Sequence, residues 1–230
     1  MGLYFKGIVR ACISLARKSG RFRTKVPLMF AMMVAWTTAM VISTFGGPPA
    51  LREFAAAWST VRAYTAVLAM HETAGKHVQD RTYEYTFVKP HAATIFITDG
   101  PGKGGRESWA GGDTVVASPP GLFSRLRLHF SMTDSRVVTL RGDTIAMASF
   151  GWLLGHVQSG GQLAQSPGPI IRGLATTRLS LAVSDPAANG GVTRDVIDLS
   201  TATKLPVRVL RFVKSKLVKQ IDFKDVKIQE

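Results

Sequence analysis

The chain has 230 residues, 46% of them apolar, and a formal charge of +14. That apolar share excludes a disordered chain, 19% charged residues exclude a wholly membrane-embedded one, and a lone cysteine, Cys12, excludes a disulfide-built fold. The basic excess is uneven: the first 50 residues hold seven Lys/Arg and no Asp or Glu, whereas residues 51–230 hold 22 and 15.

Residues 1–25 are a basic n-region containing Lys6, Arg10, Arg17, Lys18, Arg21, Arg23 and Lys25. Residues 26–45, "VPLMFAMMVAWTTAMVISTF", follow without a charge and have the length of roughly 20 residues that spans a hydrocarbon core as a helix. Basic residues ahead of an apolar run stay cytoplasmic, so this segment reads as a signal peptide or a membrane anchor that sends residues 51–230 across the inner membrane. Cys12 precedes the run and is no lipid-attachment site.

After Gly46, Gly47, Pro48 and Pro49, the spacing of Phe54, Trp58, Val61, Thr65 and Leu68 predicts a long amphipathic helix over Leu51 to Glu72. The period then becomes two. Tyr83, Tyr85 and Phe87, then Ile95 and Ile97, then Leu126, Leu128 and Phe130, then Leu179, Leu181 and Val183 alternate with polar residues, as antiparallel strands with one dry face do. Between them, Asp143 is expected to cap a helix carrying Met147, Phe150, Leu154 and Val157, and Ser159 to Ile170 reads as a mobile loop. Near the end, Ile221 and Phe223 are out of phase with Val226 and Ile228, which predicts a bulge at Lys224 and Asp225.

Chemical motifs are sparse. Gly100, Gly102 and Gly105 satisfy G-x-G-x-x-G, but no helix follows them, so "FITDGPGKGGRESWAGGD" (Phe96 to Asp113) reads as hairpin turns rather than a phosphate cradle. His71, Glu72 and His77 lack the i, i+4 spacing of a zinc helix, and G-x-S-x-G is absent. Neither a metal nor a cofactor is expected, and no enzyme. Lys204, Arg208, Arg211, Lys214, Lys216 and Lys219 crowd the last strands; after export their partner is not nucleic acid, and they read as a solvated outer face, with anionic lipid head groups as the alternative they could meet.

The order of these parts resembles the LolA-type family of periplasmic lipoprotein carriers, over about residues 51–230. Local matches are "YTFVKP" (Tyr85 to Pro90), "GGDTVVASPP" (Gly111 to Pro120), and "IDLSTATKLPVRVLRF" followed by "LVKQIDFKDVKI". The resemblance implies an α+β, mainly β fold: a curved antiparallel sheet forming an incomplete β-barrel, covered by a long N-terminal helix and a mid-chain helical lid. It implies an apolar cavity for a lipid or acylated lipoprotein, an inner-membrane donor, an outer-membrane acceptor, and a Gram-negative periplasm.

Cavity candidates are Trp58, Tyr83, Tyr85, Phe87, Leu128, Phe130, Met147, Phe150 and Leu154. Lys89 stands where the family's lid-latching arginine is expected, and it offers a point charge rather than a planar fork. The competing expectation is an inner-membrane-anchored regulatory or scaffold domain that senses lipid or binds a protein partner.

Overall fold

A computed structural model describes residues 47–230, which form one compact unit with its own core, the property that lets a domain fold alone. The basic n-region, Cys12 and the apolar segment lie outside the described residues. Among the described residues, no helix is long and apolar enough to cross a membrane.

The chain enters through helix α1 (Pro49–Thr60), where Pro49 at the first turn pre-sets the backbone angle and Ala50, Leu51 and Phe54 bury one face. Here the structure corrects the expected long helix. Val61 is already extended, and Ala63–Ala74 is strand β1. The reason lies in its period: Tyr64, Ala66, Leu68, Met70 and Glu72 are buried while Thr65 and His71 are exposed, an alternation that only a strand can bury.

Ten more strands follow: β2 (His77–Val88), β3 (Ala92–Asp99), β4 (Arg106–Trp109), β5 (Thr114–Ser118), β6 (Leu128–Ser131), β7 (Gly161–Pro167), β8 (Thr176–Val183), β9 (Arg194–Ser200), β10 (Pro206–Val213) and β11 (Lys216–Gln229). A 3₁₀ turn (Ile145–Ala148) and helix α2 (Phe150–Ser159) are inserted between β6 and β7. The residues expected to be a mobile loop contain β7, whose backbone pairs with β8 throughout.

All neighbours are antiparallel in one sheet of order β6-β5-β4-β3-β2-β1-β11-β10-β9-β8-β7. The two edges, β6 and β7, do not pair, so the sheet is not closed into a barrel. It nevertheless wraps: Tyr83, Ile97 and Val115 from one wing share a single core with Leu179, Leu181 and Ile197 from the other. The expected C-terminal bulge is present. Thr65 faces Lys227 and Val67 faces Lys224, leaving one extra residue in β11, with Asp225 at φ 50°. Gly100, Gly102 and Gly104 take positive φ in the β3–β4 hairpin, the turn expected of them.

The inner face also carries a lateral row of charges. Glu72 on β1 sits opposite Lys219 on β11, Lys219 opposite Arg211 on β10, and Arg211 opposite Asp195 on β9. Lys219 Nζ donates to Glu72 Oε1 at 3.0 Å and Asp143 Oδ2 at 2.6 Å; Arg211 Nη1 donates to Asp143 Oδ1 at 2.8 Å, and its Nε to Asp195 Oδ1 at 3.2 Å.

Arg211 and Lys219 are therefore buried, not part of a solvated face; Arg208 is ion-paired with Asp222, and Lys204 with Glu53. Nor is Asp143 a helix cap. Burial would raise its pKa, but Lys219 and Arg211 beside it hold it below the usual carboxylate range. The cap of α2 is Ser149, whose hydroxyl accepts the Trp152 N–H.

Removing one member of such a network strands the others in a dry interior. Lys219→Met leaves Glu72 without its cation and Asp143 with Arg211 alone, and is expected to destabilise Gly47–Glu230 by about 3–5 kcal/mol in urea unfolding.

Candidate functional site

The inner face divides into an aromatic end and a polar end. At the aromatic end, Tyr64 stacks on Phe150 with ring centroids 4.2 Å apart and planes 2° from parallel; Trp58 meets both edge-on at 6.2 Å, and Phe223 packs on Phe150 at 5.1 Å. Two hydroxyls tie this cluster to the insertion: Tyr64 Oη accepts the Phe150 N–H at 3.2 Å, and Tyr85 Oη donates to the Ile145 carbonyl at 3.4 Å. Burial raises the pKa of both tyrosines, so both remain neutral at ordinary pH.

Above the cluster opens a groove of about 430 Å³, lined by Trp58, Phe87, Trp109, Trp152, Lys89 and His91 among others. Five elements build it: the end of α1, the end of β2, the end of β4, the 3₁₀ turn and the start of α2. Gly151 lets the helices approach there, since a methyl group on it would lie 3.1 Å from the Trp58 ring. The volume falls in the 300–1,000 Å³ range typical of small-molecule sites. Its lining matches that class too: aromatic walls with few polar groups.

Lys89 stands at the rim. Its ammonium lies 4.2 Å from the Trp58 ring centroid and donates to the Trp58 carbonyl and, at 3.3 Å, to the Ser59 carbonyl. Those are carbonyls of the last turn of α1, Trp58's also accepting the Val61 N–H at 3.3 Å, and a cation there complements the helix dipole. The residue therefore fastens α1 to the end of β2, rather than the mid-chain insertion expected from the family latch.

The polar end holds a smaller, partly open cavity of about 50 Å³, where Arg81, Glu107, Asp143 and Lys219 sit in a mainly apolar lining with Leu68, Met70, Tyr83 and Ile221 among others. It has room for a few waters and none for an acyl chain.

The groove thus brings together Trp58, Phe87 and Lys89 of the expected residues. Tyr85 and Phe150 lie beneath it in the aromatic cluster, and Tyr83 lines the small cavity. Phe130 and Leu154 pack on the core, and Met147 is half-buried, its sulfur accepting the Thr144 N–H at 3.5 Å. Leu128 is a correction: at 40% exposed on edge strand β6, it faces neither cavity nor groove. Trp109, Trp152, His91 and Tyr64 were missed. Trp109 shares the phase of Glu107 on a short strand, and Tyr64 was hidden by the helical reading of its segment.

No family model matches the sequence, and no curated protein matches it. Solved structures similar to this chain include a DUF1329 family protein from Desulfovibrio piger, at 12% identity over 78% of this chain and 92% of that one, with a TM-score of 0.43. An outer-membrane lipoprotein-sorting protein domain from Vibrio parahaemolyticus has 12% identity, the same coverage and a TM-score of 0.41. A LolA superfamily protein from Nitrosomonas europaea has 10% identity over 79% and 92%, with a TM-score of 0.37.

Glu107 gives a pH handle on the polar end. Burial pushes its carboxyl up to about 7, partly offset by the Arg81 charge. Between the ordinary glutamate value and about 7, the folded protein holds a proton that the unfolded chain has released, so this group lowers stability as pH rises through that window. Glu107→Gln should match the parent near pH 4 and exceed it by roughly 2–3 kcal/mol near pH 8 in paired denaturation curves.

Proposed function

We propose that the chain is a divergent member of the LolA-like superfamily that binds the acyl part of a lipid or lipoprotein in the groove between α1, α2 and the ends of β2 and β4, without catalysis. The carrying observation is the groove's lining: three indoles and Phe87 form an apolar wall, and Lys89 and His91 occupy its rim. Each methylene that leaves water there contributes about 0.8 kcal/mol. An acyl tail therefore needs no charged partner to be held, and its head group remains at the rim.

Depth comes from movement. The aromatic cluster beneath the groove is filled, so a tail longer than the groove enters only if Trp58 and Phe150 part. The insertion is held by Asp143, Tyr64, Tyr85 and the His156–Asp195 contact at 2.6 Å. Helix α1 has fewer polar ties to the rest of the unit: Lys89, the Ala50 N–H to Gln165 Oε1 bond at 2.9 Å, and the half-exposed Glu53–Lys204 pair. We assign α1 as the moving part, with Lys89 as its fastening. Delivery from an inner-membrane donor to an outer-membrane acceptor in the periplasm is the role that this binding would serve.

The filled interior favours a second reading, that of an envelope domain, tethered through residues 26–45, that binds a protein partner and carries no cargo.

Every tryptophan within residues 47–230 lines the groove, so intrinsic fluorescence reads the site directly. Titration of Gly47–Glu230 with a bromine-labelled fatty acid is expected to quench that emission saturably at one ligand per chain. Trp152→Ser should weaken the binding on the order of tenfold, as expected for loss of a buried aromatic wall, while Lys89→Met should speed ligand entry by loosening α1. Absence of saturable quenching, together with a clean apo mass for protein purified from the envelope without detergent, would move the assignment to the protein-binding domain.

A further inference from the structure

Away from the groove, the β5–β6 connection presents apolar side chains to water with nothing packed on them. Leu122 is 98% exposed, Phe123 64%, Leu126 49% and Leu128 40%. Single exposed apolar residues are ordinary, but four within seven positions form a patch that calls for a partner.

The connection is also built. Pro119 and Pro120 stiffen its entry, and Gly121 takes a φ of +71°. The Ser124 N–H donates to the Gly121 carbonyl at 3.0 Å, and the Leu126 N–H to the Phe123 carbonyl at 2.9 Å. Arg127 Nη1 donates to Ser118 Oγ at 2.7 Å, fastening the returning chain to β5. The apolar tip is therefore a hydrogen-bonded turn.

Charge identifies what it meets. Arg125 and Arg127 alternate with the leucines, and from Thr114 to Thr133 the chain has no Asp or Glu. The β3–β4 hairpin lies alongside, since Gly104 abuts Pro120 and Arg106 pairs with Ser118; its exposed Lys103 is already 3.9 Å from Asp99, so the tip's own arginines carry the charge. The tip is exposed along its whole length and carries two arginines among its apolar side chains. It fits an anionic lipid surface, with Leu122 and Phe123 entering the acyl boundary and the arginines staying among the head groups. We propose that the Pro119–His129 loop docks the domain on anionic membranes, independently of whether the groove holds cargo.

Flotation of Gly47–Glu230 with vesicles tests this, comparing phosphatidylcholine alone with mixtures containing about 30 mol% phosphatidylglycerol. Binding is expected only to the anionic vesicles, and to fall as salt rises. Leu122→Ser/Phe123→Ser should weaken it at least about tenfold, and Arg125→Gln about fivefold. Both changes fall on exposed side chains, so the unfolding midpoint should stay that of the parent, and this is checked alongside. Quenching by the bromine-labelled fatty acid reads the groove and should be untouched by either variant, so the two proposals fail separately. Binding that ignores the tip variants or the anionic lipid overturns the docking loop, as does no binding to any vesicle, which would assign the tip to a protein partner.

Discussion

The structure depends on one carboxylate held between two cations. Asp143 precedes the inserted 3₁₀ turn and helix, and it meets both Lys219 and Arg211 on the inner face of the sheet. Those cations are themselves registered opposite Glu72 and Asp195 on the outer two of four adjacent strands. A one-residue slip in any of these strands would turn its charge to the opposite face and leave the partners buried alone, which is far costlier than a lost apolar contact. The row thus sets strand register and the position of the insertion together. It does so without adding much net stability, since a dry ion pair repays little more than its desolvation.

Because the insertion is fixed at its charged start, its other half is positioned over the aromatic end of the sheet. Ser149 caps α2, Tyr64 receives the Phe150 N–H, and the Phe150 ring drops onto Tyr64. The interior therefore runs from charged, around Glu107 and Lys219, to aromatic, around Phe150 and Trp58. An apolar tail that parted Trp58 and Phe150, as the proposed binding requires, would next meet the charged row.

Much of the strand content was legible because half-buried strands must alternate. Tyr83, Tyr85 and Phe87 are buried as their phase demands, and the Ile221/Phe223 to Val226/Ile228 slip is a real bulge. The α1 to β1 boundary was not, because alanine, leucine and methionine suit a helix as well as a strand, and Val61, Thr65 and Leu68 continue by chance the true helical spacing of Phe54 and Trp58. The charge row was present in the same signal: Lys219 shares the phase of Ile221 and Phe223, and Arg211 that of Val209. A cation in phase with the dry face belongs inside when a carboxylate elsewhere can reach it. Asp143, 68 residues from Arg211, is a partner that periodicity cannot find. The same holds for the groove, whose indoles come from three separated segments that meet only when the sheet wraps.

The unequal fastening of the two helical covers has a functional consequence. Opening the interior at α2 means separating buried charges, or carrying the Asp143 carboxylate away from two cations in a medium where such separations cost several kcal/mol. Opening it at α1 means moving a lysine between carbonyl acceptors and water, which exchanges one hydrogen-bonded state for another, and lifting Leu51, Phe54 and Trp58 from the core. The second cost is mainly apolar surface, which an acyl chain, were it bound as proposed, would cover as it entered. Such cargo would offset the opening of α1 in kind, whereas no lipid tail can replace the charges that hold α2. A lysine at position 89 suits this division, because a point charge releases carbonyls one at a time where a planar fork would hold several at once.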